Sequence, residues 1–213
     1  MPDSFETEPA RSPLRAELRQ QLRQARRALT PHQQQQAAIG ICQQLLAVEP
    51  FQQAACIATY LANDGEPDLA PVLEFCWQQQ ITTTVPVLHP FTRKHLLFLR
   101  YNPTTPMRVN RFNIAEPVLD CQQIQPLSRH HVILMPLVGF DKLGNRLGMG
   151  GGFYDRTLAV TSMQPDARPL FIGVAHDCQQ VALLPMANWD IPCDLIVTPT
   201  RLIKPAPPAS RAG

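Results

Sequence analysis

Six of the ten glycines in this 213-residue chain fall between Gly139 and Gly152. They follow directly on an apolar run, Val132-Ile133-Leu134-Met135-Pro136-Leu137-Val138. The run reads as a buried strand, and the segment from about Gly151 to Thr161 reads as a short helix. Glycine lets the backbone take φ > 0 and lets another group come close to it. A loop so rich in glycine offers a row of bare N–H groups, which suits anions and phosphates above all. Strand, glycine loop and helix start is a recurrent way to hold a phosphate. The known phosphate fingerprints are absent. There is no G-x-x-x-x-G-K-S/T, and no G-x-G-x-x-G with an acidic residue about twenty positions on. A flexible surface loop with a tight turn at Gly150 to Gly152 is the competing reading. Against it stand Arg146, able to fork onto a phosphate, the flat apolar surface of Phe153-Tyr154, and Asp155. A bare Asp155 carboxylate would repel the anion unless a cation stood between them.

The rest of the chain alternates helical and strand-like stretches. Leu14, Leu18, Leu22, Ala25 and Leu29 recur at helical spacing. Beside them runs a basic stripe of Arg11, Arg15, Arg19 and Arg23, followed by Arg26 and Arg27. Thr30-Pro31 is a helix start, and that helix is expected to reach about Val48 with Ile39, Leu45 and Leu46 buried. Strands are expected over 54–61, 81–88, 95–101, 132–138, 170–175 and, as the last one, 195–198, with a helix over about 68–80. The stretch 95–101 has no helix before it and should pair antiparallel. The expected fold is therefore α/β, a single three-layer α/β/α domain around a mostly parallel, mixed sheet. Residues 1–10 and the Pro/Ala tail 205–213 are expected to be disordered around a domain at 11–204.

Composition excludes several classes. Nineteen basic and 17 acidic residues give a net charge of +2, too little to mark a nucleic-acid or membrane protein. The acidic, polar start is not a signal peptide, and no apolar run could span a bilayer. Six scattered cysteines without a C-x-x-C read as reduced core residues of a cytoplasmic protein. His130-His131 and His176 lie at strand ends, where hydrogen-bonded or solvated histidines are the simpler reading.

The stretch Arg146-Leu147-Gly148-Met149-Gly150-Gly151-Gly152-Phe153-Tyr154-Asp155-Arg156 resembles the signature of the 5-formyltetrahydrofolate cyclo-ligase family, and the resemblance extends over most of the chain. It implies an ATP-dependent closure of 5-formyltetrahydrofolate to 5,10-methenyltetrahydrofolate. On this resemblance Arg146 and Tyr154 are the catalytic candidates. ATP would be held by Arg11 and Arg15, which fit the family's basic N-terminal pattern, and by Arg146, Leu147, Gly148, Met149, Gly150, Gly151, Gly152, Phe153 and Tyr154. The folate would meet Leu61, Glu66, Met149, Gly152 and Phe153. Magnesium would take Asp155 and Asp190. Arg19, Arg23, Arg26 and Arg27 are expected at the surface. The Arg111 to Pro117 connector resembles a family segment whose role the residues do not reveal. Two departures stand out: Gly151 replaces a basic residue common in the family, and Phe153-Tyr154 replaces a frequent pair of tyrosines. The expected partners are small molecules only, and the expected state is a monomer. The rival classes are another ATP-dependent kinase or ligase and an RNA binder led by the arginine helix. ATP hydrolysis dependent on the folate separates the first, and a steep fall of affinity with salt identifies the second.

Overall fold

The structure, a computed structural model, describes residues 13–92, 94–163 and 168–205. Arg11 and the segment 1–10 lie outside the described residues, as does the tail beyond Pro205. The helices are α1 (Pro13–Arg27), α2 (Pro31–Leu46), α3 (Glu49–Gln52), α4 (Ala70–Gln78) and α5 (Phe153–Leu158). The strands are β1 (Cys56–Ala58), β2 (Thr82–Leu88), β3 (Leu96–Arg100), β4 (Met107–Val109), β5 (Ala115–Pro117) and β6 (Ile124–Gln125). They continue with β7 (Val132–Pro136), β8 (Gly139–Phe140), β9 (Arg146–Leu147), β10 (Leu170–Val174), β11 (Leu195–Val197) and β12 (Leu202–Ile203).

One eight-stranded sheet runs in the order β12-β11-β10-β7-β1-β2-β3-β6. Its five central strands, β11 to β2, are parallel, and β12, β3 and β6 add antiparallel edges. The segment at 96–100 pairs antiparallel with β2, as the lack of a preceding helix predicts. The expected last strand is followed by β12, too short for its period to show in the sequence.

Successive residues of β7 feed opposite faces of the sheet, as the period of two requires. Val132 and Leu134 join Ile41, Leu45, Phe51, Val72 and Ile172 under α2, α3 and α4. Ile133 and Met135 join Phe140, Leu158, Phe171 and Ile196 on the other face, beneath α5 and the β8–β9 hairpin. Thr30 closes a capping box on α2, its hydroxyl accepting from Gln33 N while Gln33 Oε1 accepts from Thr30 N. The buried side of α2 is Ala37, Ala38, Ile41 and Leu45. Ile39, expected inside, is exposed, because the four-residue step from Ala37 to Ile41 to Leu45 sets the face and Ile39 lies off it.

α1 joins neither layer. It crosses the carboxyl ends of the parallel strands, with Leu22 packed against Gly139 just beyond β7. Its buried residues are Arg15, Leu22 and Arg26, so the arginine stripe and the apolar stripe share a face. Strand order reverses at β1, whose neighbours are β2 and β7. Open α/β sheets hold ligands in the crevice at such a reversal. The connections leaving β1 and β7 carry the candidate residues Leu61, Glu66 and the glycine stretch.

Candidate functional site

Only the end of the glycine stretch is a loop. Gly139 and Phe140 pair with Leu147 and Arg146, and buried Asp141 ties the intervening turn. Its Oδ1 accepts from Leu143 N at 2.9 Å and Asn145 N at 3.2 Å. Its Oδ2 accepts from Asn145 Nδ2 at 2.9 Å and Leu184 N at 3.0 Å. A carboxylate that accepts four N–H groups fixes a turn firmly. The bare loop is therefore Gly148 to Gly152, with φ of +97° at Gly150 and +63° at Gly152, values that disfavour any side chain. Arg156 closes the loop from below through Nη1 to Gly151 O at 2.7 Å. α5 follows but has only six residues, so an anion here must rely on the loop and on arginines.

Two arginines frame the loop, and each holds a carboxylate. Arg146 leaves β9 and directs Nη1 and Nη2 to Asp155 Oδ1 at 3.0 and 2.7 Å, an oxygen that also accepts from Ile191 N at 3.1 Å. Arg15, on α1, directs Nη1 to Asp190 Oδ2 at 2.6 Å and Nη2 to Oδ1 at 3.3 Å, and Nη1 also reaches Pro185 O at 3.0 Å. Asp190 Oδ2 further accepts from Ala187 N at 2.8 Å. Asp155 and Asp190 thus converge through residue 191, each balanced by an arginine. Arg19, one helical turn beyond Arg15, donates Nε to Gly148 O at 2.8 Å. A Cβ on Gly150 would lie 3.5 Å from its guanidinium carbon. Burial, then the neighbouring Arg15 charge, lowers the Arg19 pKa.

Two buried side-chain atoms lack a hydrogen-bond partner among the described residues: Arg15 Nε and the Tyr154 hydroxyl. Both belong to this site. A buried polar group left unpaired costs on the order of 1–3 kcal/mol, so each of these atoms calls for a water or a ligand to complete it. Burial lifts the Tyr154 phenol well above its ordinary value, the Glu66 charge adding to the rise and Arg146 opposing it.

Glu66 lies on the far side of Tyr154, in the connection after β1. Its Oε2 accepts from Asn63 N at 3.1 Å, and its Oε1 lies 3.6 Å from Arg26 Nη2. Burial pushes its carboxyl up to about 7, although Arg26 opposes the rise. The neighbouring Asp64 collects Arg23 at 2.7 Å, Arg26 at 2.8 Å and Arg27. The three guanidinium hydrogen bonds outweigh desolvation and hold the Asp64 carboxyl well below the usual range. Leu61 is half-buried at the start of this connection. Tyr60 is buried, with its hydroxyl on Pro67 O at 3.0 Å.

The structure therefore sets Arg15–Asp190 and Arg146–Asp155 as neighbouring ion pairs linked through Ile191, with Tyr154 close to both Arg146 and Glu66. Met149 stays 53% exposed on the loop. Arg26, expected at the surface, is fully buried. Nothing in the sequence except its place on the Arg15–Leu22 face distinguishes it from Arg27. The connector at 111–117 proves to be the outer half of the β4–β5 hairpin. Buried Glu116 staples it by accepting from Arg108, Asn110 and Leu88 N. The hairpin tip sets Phe112 edge-on to Phe153, with ring centroids 6.0 Å apart. His130 is a buried structural residue between Thr84 Oγ1 and Pro126 O. His176 is buried against Gly65 O. Cys121 and Cys178 are exposed rather than core residues. No group of three or more His, Cys, Asp or Glu able to hold a metal occurs among the described residues. No helix among them is long and apolar enough to cross a membrane.

A mostly parallel sheet with an arginine-framed glycine loop at its strand reversal places the chain among the open α/β proteins, whose ligands sit at that point. The chain belongs to the 5-formyltetrahydrofolate cyclo-ligase family, whose model matches residues 11–199. It is 45% identical over 177 residues to the 5-formyltetrahydrofolate cyclo-ligase of Escherichia coli, covering 83% of this chain and 96% of that protein. It is 46% identical over 173 residues to the Haemophilus influenzae enzyme of the same name, covering 81% and 91%. Its fold is similar to that of Aquifex aeolicus 5,10-methenyltetrahydrofolate synthetase, with a TM-score of 0.76 at 26% identity over 94% of this chain and 97% of that one. The corresponding Mycoplasma pneumoniae structure gives a TM-score of 0.67 at 26% identity, over 87% and 98%.

Proposed function

We propose that this chain is an ATP-dependent 5-formyltetrahydrofolate cyclo-ligase that releases 5,10-methenyltetrahydrofolate, ADP and phosphate. A formamide oxygen is a poor leaving group. Transfer of the γ-phosphoryl group to that oxygen makes it a good one. The substrate's second nitrogen then attacks the activated carbon, and the C–O bond breaks as phosphate departs. Such chemistry asks for positioning and charge neutralisation rather than a protein nucleophile. The observation that carries the reading is the pair of orphaned buried atoms, Arg15 Nε and the Tyr154 hydroxyl. A phosphate oxygen satisfies the first, and a polar group of the transferring phosphate or the formyl oxygen satisfies the second.

In this reading Arg146 meets charge developing on the phosphoryl group, and the N–H groups of Gly148 to Gly152 cradle the phosphates. Leu147, Met149 and Phe153 supply apolar walls. Leu61 and Glu66 line the folate side with Met149, Gly152 and Phe153. Arg11 joins Arg15 on ATP. Arg19, over Gly150, supplies positive charge close to Gly151, the position at which the family resemblance implies a basic residue.

Magnesium fits the donor set. It takes one or two carboxylates, phosphate oxygens and waters, so a dedicated three-ligand cage is not required. Asp155 and Asp190 would hold it, and it would neutralise phosphate charge next to them. The two arginines that balance these carboxylates would then be free to meet the phosphates. A coupled assay tests the function: ATP hydrolysis should depend on 5-formyltetrahydrofolate. Hydrolysis at the same rate without the folate would favour a different ATP-dependent enzyme.

A further inference from the structure

Arg26 is the largest fully buried side chain among the described residues, and it is charged. Burying an ion costs several kcal/mol unless close partners repay it. Its guanidinium is used in every direction. Nε donates to Asp64 O at 2.8 Å, Nη1 to Leu137 O at 2.9 Å and Nη2 to Asp64 Oδ2 at 2.8 Å. The same Nη2 lies 3.6 Å from Glu66 Oε1. Arg26 therefore ties α1 to both connections at the strand reversal, the one after β1 and the one after β7. Tying the connections would by itself need only Leu137 O and Asp64. Their placement brings the same cation against Glu66, whose side chain is 12% exposed.

We infer that Arg26 is a positioning residue for Glu66, fixing the place of its carboxyl and favouring the form that accepts from donor groups of the substrate. The inference rests on the assignment of Glu66 to the folate side of the site. The groups facing Glu66 leave this task to Arg26. From its own connection come Asp64, an opposing negative charge, and the Asn63 N–H. From the residues just after β1 and from α5 come Tyr60 and Tyr154, both kept neutral by burial. From the segment after β10 comes His176, bonded to Gly65 O and with its pKa lowered by burial. Arg23 and Arg27 reach Asp64 with side chains 34% and 55% exposed, so solvent screens them. Burial alone drives a carboxyl toward its neutral form, which donates a hydrogen bond where the anion accepts two.

The test is calorimetric titration of 5-formyltetrahydrofolate into wild-type protein, Arg26→Gln, Arg26→Lys and Glu66→Gln at pH 7 and pH 9. Loss of the cation raises the Glu66 pKa, so the deficit is greatest at low pH and shrinks as rising pH ionises the carboxyl. Arg26→Gln should raise the dissociation constant about tenfold at pH 7 and less than about twofold at pH 9. Arg26→Lys keeps the charge but cannot keep all three hydrogen bonds and the Glu66 ion pair, so its affinity should fall between those of wild type and Arg26→Gln. The ATP dissociation constant should be unchanged in both. Equal weakening at the two pH values, or wild-type affinity in the arginine variants while Glu66→Gln binds poorly, overturns the inference. Wild-type affinity in Glu66→Gln instead overturns the substrate assignment on which it rests. If Arg26→Gln does not fold, Arg26→Lys decides, and wild-type affinity there rejects the role.

Discussion

Arg15 and Asp190 stand 175 residues apart in the chain and hold each other through Nη1 and Oδ2 at 2.6 Å. Their side chains are 5% and 6% exposed. The first comes from the helix that crosses the sheet ends, and the second from the segment just before β11. The pair closes the site from both ends of the sequence. One partner is a candidate phosphate ligand and the other a candidate magnesium ligand, so the two expected functions meet in one ion pair before either ligand arrives.

Removing one side of such a pair strands the other. Arg15→Ala should therefore destabilise the fold by about 3–5 kcal/mol, since it leaves a buried carboxylate uncompensated. It should also raise the ATP dissociation constant at least about tenfold, because a charge-assisted hydrogen bond is worth about 1.5–3 kcal/mol. Urea unfolding reads the first effect and titration calorimetry the second. Deletion of residues 1–16 should weaken ATP in the same way. An unchanged ATP constant in both proteins would assign Arg15 to the fold alone.

Asp155 and Asp190 differ in what surrounds them, and their amide variants should differ as well. Asp155→Asn weakens the partner of Arg146, whose side chain is only 5% exposed, so it should abolish turnover and lower the melting temperature. Asp190→Asn should keep turnover but raise the magnesium concentration needed for half-maximal rate. Wild-type rates for both across a magnesium titration, measured below the melting point, would place the metal elsewhere.

Glu66 gives stability a defined pH dependence. Its folded carboxyl stands at about 7 against an ordinary 4.5. A carboxyl raised by folding favours the protonated fold. Its contribution is fully present below pH 4.5 and is lost as pH rises to 7. The difference converts to about 3 kcal/mol at 1.36 kcal/mol per decade. Glu66→Gln should flatten the stability profile between pH 4.5 and 7 and be the more stable protein at pH 8. Asp64 acts oppositely, its lowered pKa stabilising the fold above its ordinary range and losing that effect as pH falls below about 4. Parallel profiles for wild type and Glu66→Gln would show that the carboxyl is not desolvated.

Gly152 tests the loop itself. Its φ is +63°, and an added Cβ would stand 2.6 Å from Arg156 Nη1. Gly152→Ala should cost about 1–2 kcal/mol, the penalty of the left-handed region for a side chain. It should also displace Arg156 from Gly151 O and weaken ATP binding several-fold. Undiminished ATP affinity would mean that the loop backbone does not cradle the phosphates.

Much of this was legible in the sequence because the period of the apolar residues is a local property. The strands at 132–136, 170–174 and 82–88 and the helix begun at Thr30 follow from it. The glycine stretch was misjudged in extent, since the Gly139–Arg146 hairpin depends on Asp141 accepting from Leu184 N, far away in sequence. The arginines of α1 were harder. An exposed and a buried arginine look alike until their partners are placed, and the partners Asp64, Leu137 and Asp190 come from three different connections. Arg146 and Asp155 stand nine residues apart within one motif, so their pairing is a local contact. That Arg15 takes Asp190 was not visible, because no local pattern links residues 175 positions apart.

The most direct measurement is the near-ultraviolet absorbance of purified protein mixed with magnesium, ATP and 5-formyltetrahydrofolate. The methenyl product carries a conjugated bridge that the substrate lacks. A new absorption band should grow with time only when ATP is present, and Arg146→Ala should suppress it. No band from folded protein, or a band that grows equally without ATP, would contradict the account.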